Sequence, residues 1–159
     1  MTPPTTTAFI SGPIDVDTAY FTTHYTPRIL AAISSSHSFV LGPAPGIDSL
    51  ALEFLHAHAA PERITVYLTE YENKVYRPSL AWHEAAGGKV VVAGIVTSLR
   101  DEAMTKASGY DILRYRPEAE AKELYGEIWY PRVSATELNE RRRQKTSMAL
   151  NSGEGKKDG

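Results

Sequence analysis

Short apolar runs alternate with amphipathic stretches between residues 7 and 115, and this alternation restricts the chain to few folds. The runs that predict strands cover residues 7–11, 39–41, 63–68, 89–96 and 111–115. Turn residues and stretches with apolar side chains at helical spacing separate most of them. Strands that alternate with helices form right-handed βαβ units, whose strands lie parallel in one sheet. We therefore predict an α/β protein, a three-layer Rossmann-like fold with a mainly parallel five-stranded sheet.

Several local features refine this prediction. Residues 89–96 form the most continuous apolar run, which is typical of a parallel strand covered on both faces. Arg114 makes the fifth strand more edge-like, and Pro27 is expected to kink or restart the helix after the first strand. Residues 69–78 are polar and are predicted to form a loop.

Composition excludes several kinds of site. A chain of 159 residues forms one domain with a full core, and its formal charge of −2 gives no electrostatic reason to expect nucleic-acid binding. The absence of cysteine excludes disulfides and thiolate chemistry. His56 and His58 fall on different helix faces, so we expect no metal site. We also expect no cofactor. No signal peptide or membrane-length apolar run is recognisable, so we expect a cytoplasmic protein without membrane contacts.

The strongest candidate for a binding site is the strand–turn–helix joint at residues 38–55. A short strand is followed by a turn rich in glycine and proline, and Asp48 is a good N-cap for the next helix. At the carboxyl end of a parallel strand, such a helix start offers N–H groups and a positive dipole to a phosphate. The alternative is a joint that only caps a helix, because the turn matches neither the Walker A motif nor G-x-G-x-x-G.

The C-terminal third departs from the alternation. Residues 117–133 are predicted to be an inserted segment with an exposed helix that ends at Gly126. Its aromatic residues Tyr125, Trp129 and Tyr130 could stack on a base, but we favour a place in the core or at an interface. Residues 134–137 form a capping box that opens a further helix. We predict disorder for residues 1–6 and 146–159 and one nucleotide-binding domain over residues 7–145.

Several separated motifs occur in a characteristic order. These are residues 11–13 (Ser-Gly-Pro), 42–49, 100–105, 109–112 and 134–136. In order and spacing the chain resembles the SLOG superfamily of Rossmann-like nucleotide-binding proteins, over about residues 8 to 145. Relatives of that superfamily include the Lonely Guy phosphoribohydrolases, the DNA-processing protein A family and, more distantly, the nucleoside 2-deoxyribosyltransferases.

The resemblance implies a nucleoside phosphate or nucleotide-sugar bound at the carboxyl edge of the sheet, and a homo-oligomer. Glycines at the strand ends would let the backbone approach the ligand, and the helix start near Ser134 would bind phosphate. Arg100 corresponds to an arginine that contacts the nucleotide in the Lonely Guy pattern and assists chemistry at the N-glycosidic bond. The implied ligand-binding set is Ser11, Gly12, Pro13, Gly42, Pro43, Ala44, Pro45, Gly46, Asp48, Ser49, Arg100, Thr105, Ser134, Ala135 and Thr136.

The match to the Lonely Guy enzymes breaks down at their catalytic glutamate. Asn139 stands in that position, and Ala135 replaces a glycine of their phosphate loop. Asp48 is the preferred catalytic carboxylate because it stands at a helix start, and Arg100 is the electrostatic clamp. The helix dipole is expected to depress the pKa of Asp48. The other candidate carboxylates nearby are Glu53, Asp101, Glu137 and Glu140.

Alternative interpretations of these residues stay open. Arg100 could be merely solvated, and Asp101 could only favour the positive helix N-terminus. At the level of function, the alternatives are a non-catalytic nucleotide sensor or assembly module and, ranked lowest, DNA binding through the basic cluster at residues 141–145. The nucleotide hypothesis depends on the joints that begin at Gly42 and Ser134 converging on one anion pocket.

Overall fold

Five strands build one all-parallel sheet in the order β4-β3-β2-β1-β5. The computed structural model describes residues 6–155, with side chains described for residues 6–149. The strands are β1 (Thr7–Ser11), β2 (Ser38–Leu41), β3 (Ile64–Leu68), β4 (Lys89–Val92) and β5 (Tyr110–Leu113). The predicted α/β class and the five-stranded, Rossmann-like sheet are confirmed.

Eight helices connect or cover the strands within the described residues. They are α1 (Thr18–His24), α2 (Thr26–Ser34), α3 (Ile47–His58), α4 (Glu70–Val75), α5 (Ala81–Ala85), α6 (Thr97–Lys106), α7 (Glu118–Tyr125) and α8 (Ala135–Gly155). Pro27 lies in the first turn of α2, so the predicted restart after α1 is confirmed. The loop predicted for residues 69–78 is wrong, because Thr69 and Glu72 form a capping box that opens α4.

The sheet separates two apolar layers because successive strand side chains point to opposite faces. Ala8 and Ile10 face the larger layer, which α1, α2 and α3 complete. Phe9 and Val40 face the smaller layer with Met104 of α6, and α8 packs beside α6 and β5. Helices therefore cover both faces, as the three-layer prediction requires.

The two sheet edges differ from the sequence expectation in one respect. β5 is an edge strand, as Arg114 indicated. β4 is the opposite edge, and its faces are only partly covered, contrary to the prediction. Val91 and Val92 are 37% and 43% exposed. A continuous apolar run shows that both faces of a strand are apolar, but it contains no information on how many neighbours the strand has.

Helix α8 extends further than the capping box alone indicated. It continues to Gly155 and so includes ten residues of the segment for which disorder was predicted from residue 146. Residues 1–5 and 156–159, which complete the two predicted disordered termini, lie outside the described residues.

The strand order creates a switch point between β1 and β5. From β1 the chain steps outward to β2, β3 and β4, and it then returns past β1 to place β5 on the other side. The loops that leave β1 and β5 therefore diverge at the carboxyl edge of the sheet. In open α/β sheets this is the position of the ligand crevice.

Candidate functional site

A cleft of about 340 Å³ lies at this switch point. Its walls come from the loop after β1, the segment after β5 and the start of α8. The lining residues are Pro13, Tyr115, Arg116, Pro117, Glu118, Ala121, Tyr125, Trp129, Pro131, Arg132, Ser134, Thr136 and Glu137. The segment predicted as an insertion, residues 117–133, thus supplies one wall of the cleft.

A buried tyrosine, Tyr25, joins the ends of β1 and β5 next to the cleft. The Tyr25 hydroxyl donates to the carbonyl of Ser11 at 2.7 Å and accepts from the Arg114 backbone N–H at 2.9 Å. Tyr25 is fully buried, and burial raises the pKa of its phenol, which stays protonated and able to donate. A Cβ on Gly12 would collide with this hydroxyl and with Ile47, so Gly12 is required for packing at this point.

The first turn of α8 opens onto the cleft. Ser134 Oγ accepts from the backbone N–H of Glu137 at 3.1 Å, which confirms the N-cap half of the predicted capping box. The Glu137 carboxylate instead pairs with Arg141 at 2.7 Å. Ser134 and Thr136, both in the predicted ligand-binding set, line the cleft beside the positive end of a long helix.

The opposite wall combines cations and aromatic rings. Arg132 lies 5.3 Å from the ring centre of Tyr125, and no carboxylate of residues 6–149 lies within salt-bridge distance of its guanidinium. Arg116 donates to the Asp15 carbonyl at 2.6 Å. Two carboxylates of the cleft are already paired, Glu118 with Lys122 and Glu137 with Arg141. The unpaired charge facing the cleft is therefore positive.

The joint after β2 leads into a cluster of buried charges rather than into this cleft. Arg100 donates to both carboxylate oxygens of Glu72 at 2.7 Å and to Asp101 at 3.1 Å and 3.2 Å. Arg100 is only 8% exposed, so the alternative of a solvated arginine is wrong. Asp101 pairs with this guanidinium, and burial raises its pKa while Arg100 and Asn139 oppose the shift.

Asp48 is half-buried and belongs to the same cluster of charges. It occupies the second position of α3, and Gly46 is the N-cap, so the predicted N-cap role of Asp48 is wrong. Burial raises the pKa of Asp48 to about 7; a hydrogen bond from Ala44 and the charge of Arg100 lower it, whereas Asp101 and Glu72 raise it further. The predicted depression of this pKa is wrong because desolvation and two nearby carboxylates outweigh the helix dipole.

The glycines of the β2 joint serve close packing between chain segments. Gly46 has a φ of +80°, and a Cβ there would collide with the carbonyl oxygens of Pro13 and Ile14. The first N–H of α3, from Ile47, donates to Pro13 at 3.1 Å. A Cβ on Gly42 would lie 3.0 Å from the Asp48 carboxylate and 3.4 Å from the Arg100 guanidinium carbon.

The predicted convergence of the two joints on one anion pocket is therefore wrong, because they are neighbours that open onto different surroundings. Pro13, Ser134 and Thr136 line the cleft, whereas none of residues 42–49 does. The start of α8 borders both regions, because its Asn139 bonds to Asp101 of the buried cluster. Thr105 also lies inside, where its hydroxyl donates to the Asp101 carbonyl at 3.1 Å. The Ser11 hydroxyl is buried and has no hydrogen-bond partner among the described residues.

Several residues of both regions were missed by the sequence interpretation. Arg116, Arg132 and Tyr115 line the cleft, and Glu72 holds Arg100. The alternation of arginine with aromatic residues in residues 114–132 was an available signal for the cleft. For Glu72 the signal was its capping box with Thr69, three residues earlier.

The fold and the cleft together define an α/β protein of Rossmann-like architecture with a crevice at its switch point. Comparison of the chain with family models, with curated proteins and with solved structures finds no match. The resemblance to the SLOG superfamily therefore stays a prediction. Residues 6–149 contain no group of three His, Asp or Glu side chains that could hold a metal ion, and no described helix is long and apolar enough to cross a bilayer.

Proposed function

We propose that this chain binds a nucleoside phosphate or nucleotide-sugar in the cleft between the β1 and β5 loops, where the proposal rests on the start of α8 and not on the joint at Gly42. The observation that carries the proposal is the coincidence of three features in one crevice: a switch-point position, a long-helix N-terminus and unpaired arginine beside aromatic rings. A volume of about 340 Å³ is at the lower end of the range for small-molecule sites.

The phosphate is assigned to the start of α8. The backbone N–H groups of Ala135 and Thr136 lie in the first turn of this helix, where N–H groups lack helical partners. Arg132 adds a guanidinium without a carboxylate partner among the described residues, and guanidinium groups bind phosphate oxygens in a bidentate manner. The anion thus meets both a helix dipole and a guanidinium that is held against the rings of Tyr125 and Tyr130.

The base and sugar are assigned to the remaining walls. Tyr125 and Trp129 present aromatic surface suited to stacking on a nucleobase. The unpaired Ser11 hydroxyl lies two residues before Pro13, which is part of the lining. A buried hydroxyl without a partner costs about 1–3 kcal/mol, but Ser11 is not among the lining residues, so it is not assigned to ligand contact.

Calorimetric titration tests the assignment with AMP, ADP-ribose and dCMP, and with adenosine as the phosphate-free control. We expect binding of the phosphorylated ligands, weakened at least about tenfold by Arg132→Ala because a charge-assisted contact is lost. Arg63→Ala, at the amino end of β3 and therefore on the opposite edge, is the matched control and should leave affinity unchanged. Absence of binding at millimolar ligand, or equal losses in both variants, would refute the proposal.

Cleavage of the N-glycosidic bond is a second candidate, and one observation favours it. Burial raises the pKa of Asp48 to about 7, which is matched to general acid–base catalysis at neutral pH, but Asp48 does not line the cleft. Its partner Arg100 is engaged by Glu72 and Asp101, which favours the non-catalytic alternative. Incubation of the same ligands with the protein, followed by measurement of the free base, decides between a catalytic and a non-catalytic protein. Binding without release of the base supports a sensor. Release of the base that is unaffected by Asp48→Asn removes Asp48 from the mechanism.

A further inference from the structure

The outward backbone groups of the two edge strands differ in whether the rest of the chain covers them. At the β5 edge, Arg28 donates to the carbonyls of Leu113 at 2.8 Å and Asp111 at 3.1 Å, so a side chain covers the outer backbone groups. At the β4 edge, no residue in the described part of the chain bonds to the outward groups of Val90 or Val92. An open apolar edge of this kind invites pairing with another strand.

The exposed surface around β4 is apolar well beyond the strand itself. Val91 and Val92 are followed along the chain by Ile95, Val96 and Leu99, of which Ile95 is the most exposed at 70%. Parallel strands are normally covered on both faces, and contiguous apolar patches mark interaction sites. This surface lies at the far end of the sheet from the cleft, beyond β3 and β2.

The backbone direction of β4 determines how a partner strand can add. The N–H of Ala93 donates to the Leu68 carbonyl at 2.8 Å, so the odd-numbered residues of β4 bond to β3. Val90 and Val92 therefore direct their N–H and C=O groups away from the sheet. An antiparallel partner that uses all of these groups places Val90 opposite Val92 of the other strand.

We propose that a second copy of this chain pairs along β4, antiparallel and with its two-fold axis at Val91, to form a continuous ten-stranded sheet. Such an interface is self-complementary, as a two-fold axis requires. The two Val91 residues face each other as a non-hydrogen-bonded pair, with Cα atoms about 4.5 Å apart.

The charges at the two ends of β4 fit this register. Lys89 lies opposite Ala93 of the other copy, next to Gly94, whose carbonyl accepts from the N–H of Glu70 at 3.1 Å. Lys89 and Glu70 are both exposed, and neither has an ion-pair partner among residues 6–149. The dimer brings each Lys89 beside the segment that carries Glu70 of the other copy, twice per interface, which selects a second copy as the occupant.

The absence of native cysteine permits a direct test by cross-linking. Under mild oxidation, Val91→Cys should form a disulfide dimer alone, because a pair with Cα atoms about 4.5 Å apart satisfies disulfide geometry. Lys89→Cys and Ala93→Cys should each stay uncross-linked alone, since like residues lie about 14 Å apart at four strand steps. Mixed together, those two variants should form a heterodimeric disulfide.

Sedimentation equilibrium supplies the second measurement on the unmodified chain. We expect a dimer, weakened at least about tenfold by Val91→Lys because like charges would meet at the two-fold axis. Leu30→Lys introduces the same charge at an exposed apolar position of α2 and should leave the dimer intact. A monomeric wild-type chain, a dimer insensitive to Val91→Lys, or homodimeric disulfides of Lys89→Cys as rapid as those of Val91→Cys would each overturn the proposal.

Discussion

At the scale of single residues, an arginine and several carboxyl groups form a cluster of charges beside Gly42. The Arg100 guanidinium forms ion pairs with Glu72 and Asp101, and its charge also acts on the Asp48 carboxyl group. Burial of more carboxylates than cations is unfavourable, so one carboxyl group holds its proton up to neutral pH. The sequence singled out Asp48 and Arg100 but not their contact with Glu72, because the members of the cluster come from the segments after three different strands.

The Asp48 carboxyl makes folding stability depend on pH in a defined direction. Its pKa is about 7 in the folded state and near 3.8 when unfolded, so between these values the folded state binds the extra proton. Stability conferred by this group is therefore present at low pH and is lost as pH rises towards 7. We expect Asp48→Asn, which keeps an acceptor for the Ala44 N–H, to exceed wild-type stability by more than about 1 kcal/mol at pH 8 and by less at pH 5.

Urea denaturation at the two pH values measures this difference. Glu53→Gln is the control, because Glu53 is an exposed carboxylate of the same helix and should show no such pH-dependent gain. An Asp48→Asn variant that is less stable than wild type at pH 8 would contradict the assignment of a buried, proton-holding carboxyl group.

At the scale of elements, one arginine joins α8 both to the end of α6 and to β5. Arg143 donates to the Thr105 carbonyl, to the carbonyl and hydroxyl of Ser108, and to the Asp111 carboxylate at 2.6–3.1 Å. This arginine belongs to the basic cluster of residues 141–145, which lies within α8 because the helix continues to Gly155. The cap at Ser134 predicted the start of this helix, whereas no cap predicted its end.

Loss of Arg143 should release the second half of α8 before the rest of the protein unfolds. Arg143→Ala leaves Asp111 without its ion pair and removes several partly buried hydrogen bonds, so we expect a loss of about 1–3 kcal/mol. Hydrogen exchange should rise selectively in α8 after residue 143. Arg141→Ala removes an exposed arginine of the same helix and should change exchange little. Equal exchange in the two variants would show that other contacts hold the helix.

At the scale of the whole molecule, the layer architecture was predictable and the strand order was not. Alternation of strand and helix patterns is a local property, and it was sufficient for the parallel sheet. Which strands occupy the edges depends on the direction of each crossover, and residues 89–96 could not indicate that β4 lacks an outer neighbour. The position of the cleft follows from the same order, so its lining was only partly predictable.

The charge distribution of the molecule predicts very weak affinity for nucleic acid. The formal charge is −2, and the arginines of the basic cluster have internal partners: Arg141 with Glu137, Arg142 with Asn139, and Arg143 with Asp111. We therefore expect no measurable binding of single-stranded DNA by fluorescence anisotropy at physiological salt. Affinity that falls steeply as salt increases would indicate a basic surface and contradict this expectation.

The Tyr25 hydroxyl limits how far the two strand ends beside the cleft can separate. Because it joins the backbones of Ser11 and Arg114, the two strand ends cannot spread apart without breaking bonds in the fully buried interior. Helix α7, on the opposite side, is fastened by more exposed contacts such as that of Tyr125 with Asp15. The aperture between the two strand ends is therefore fixed, and any widening of the cleft has to come from the side of α7.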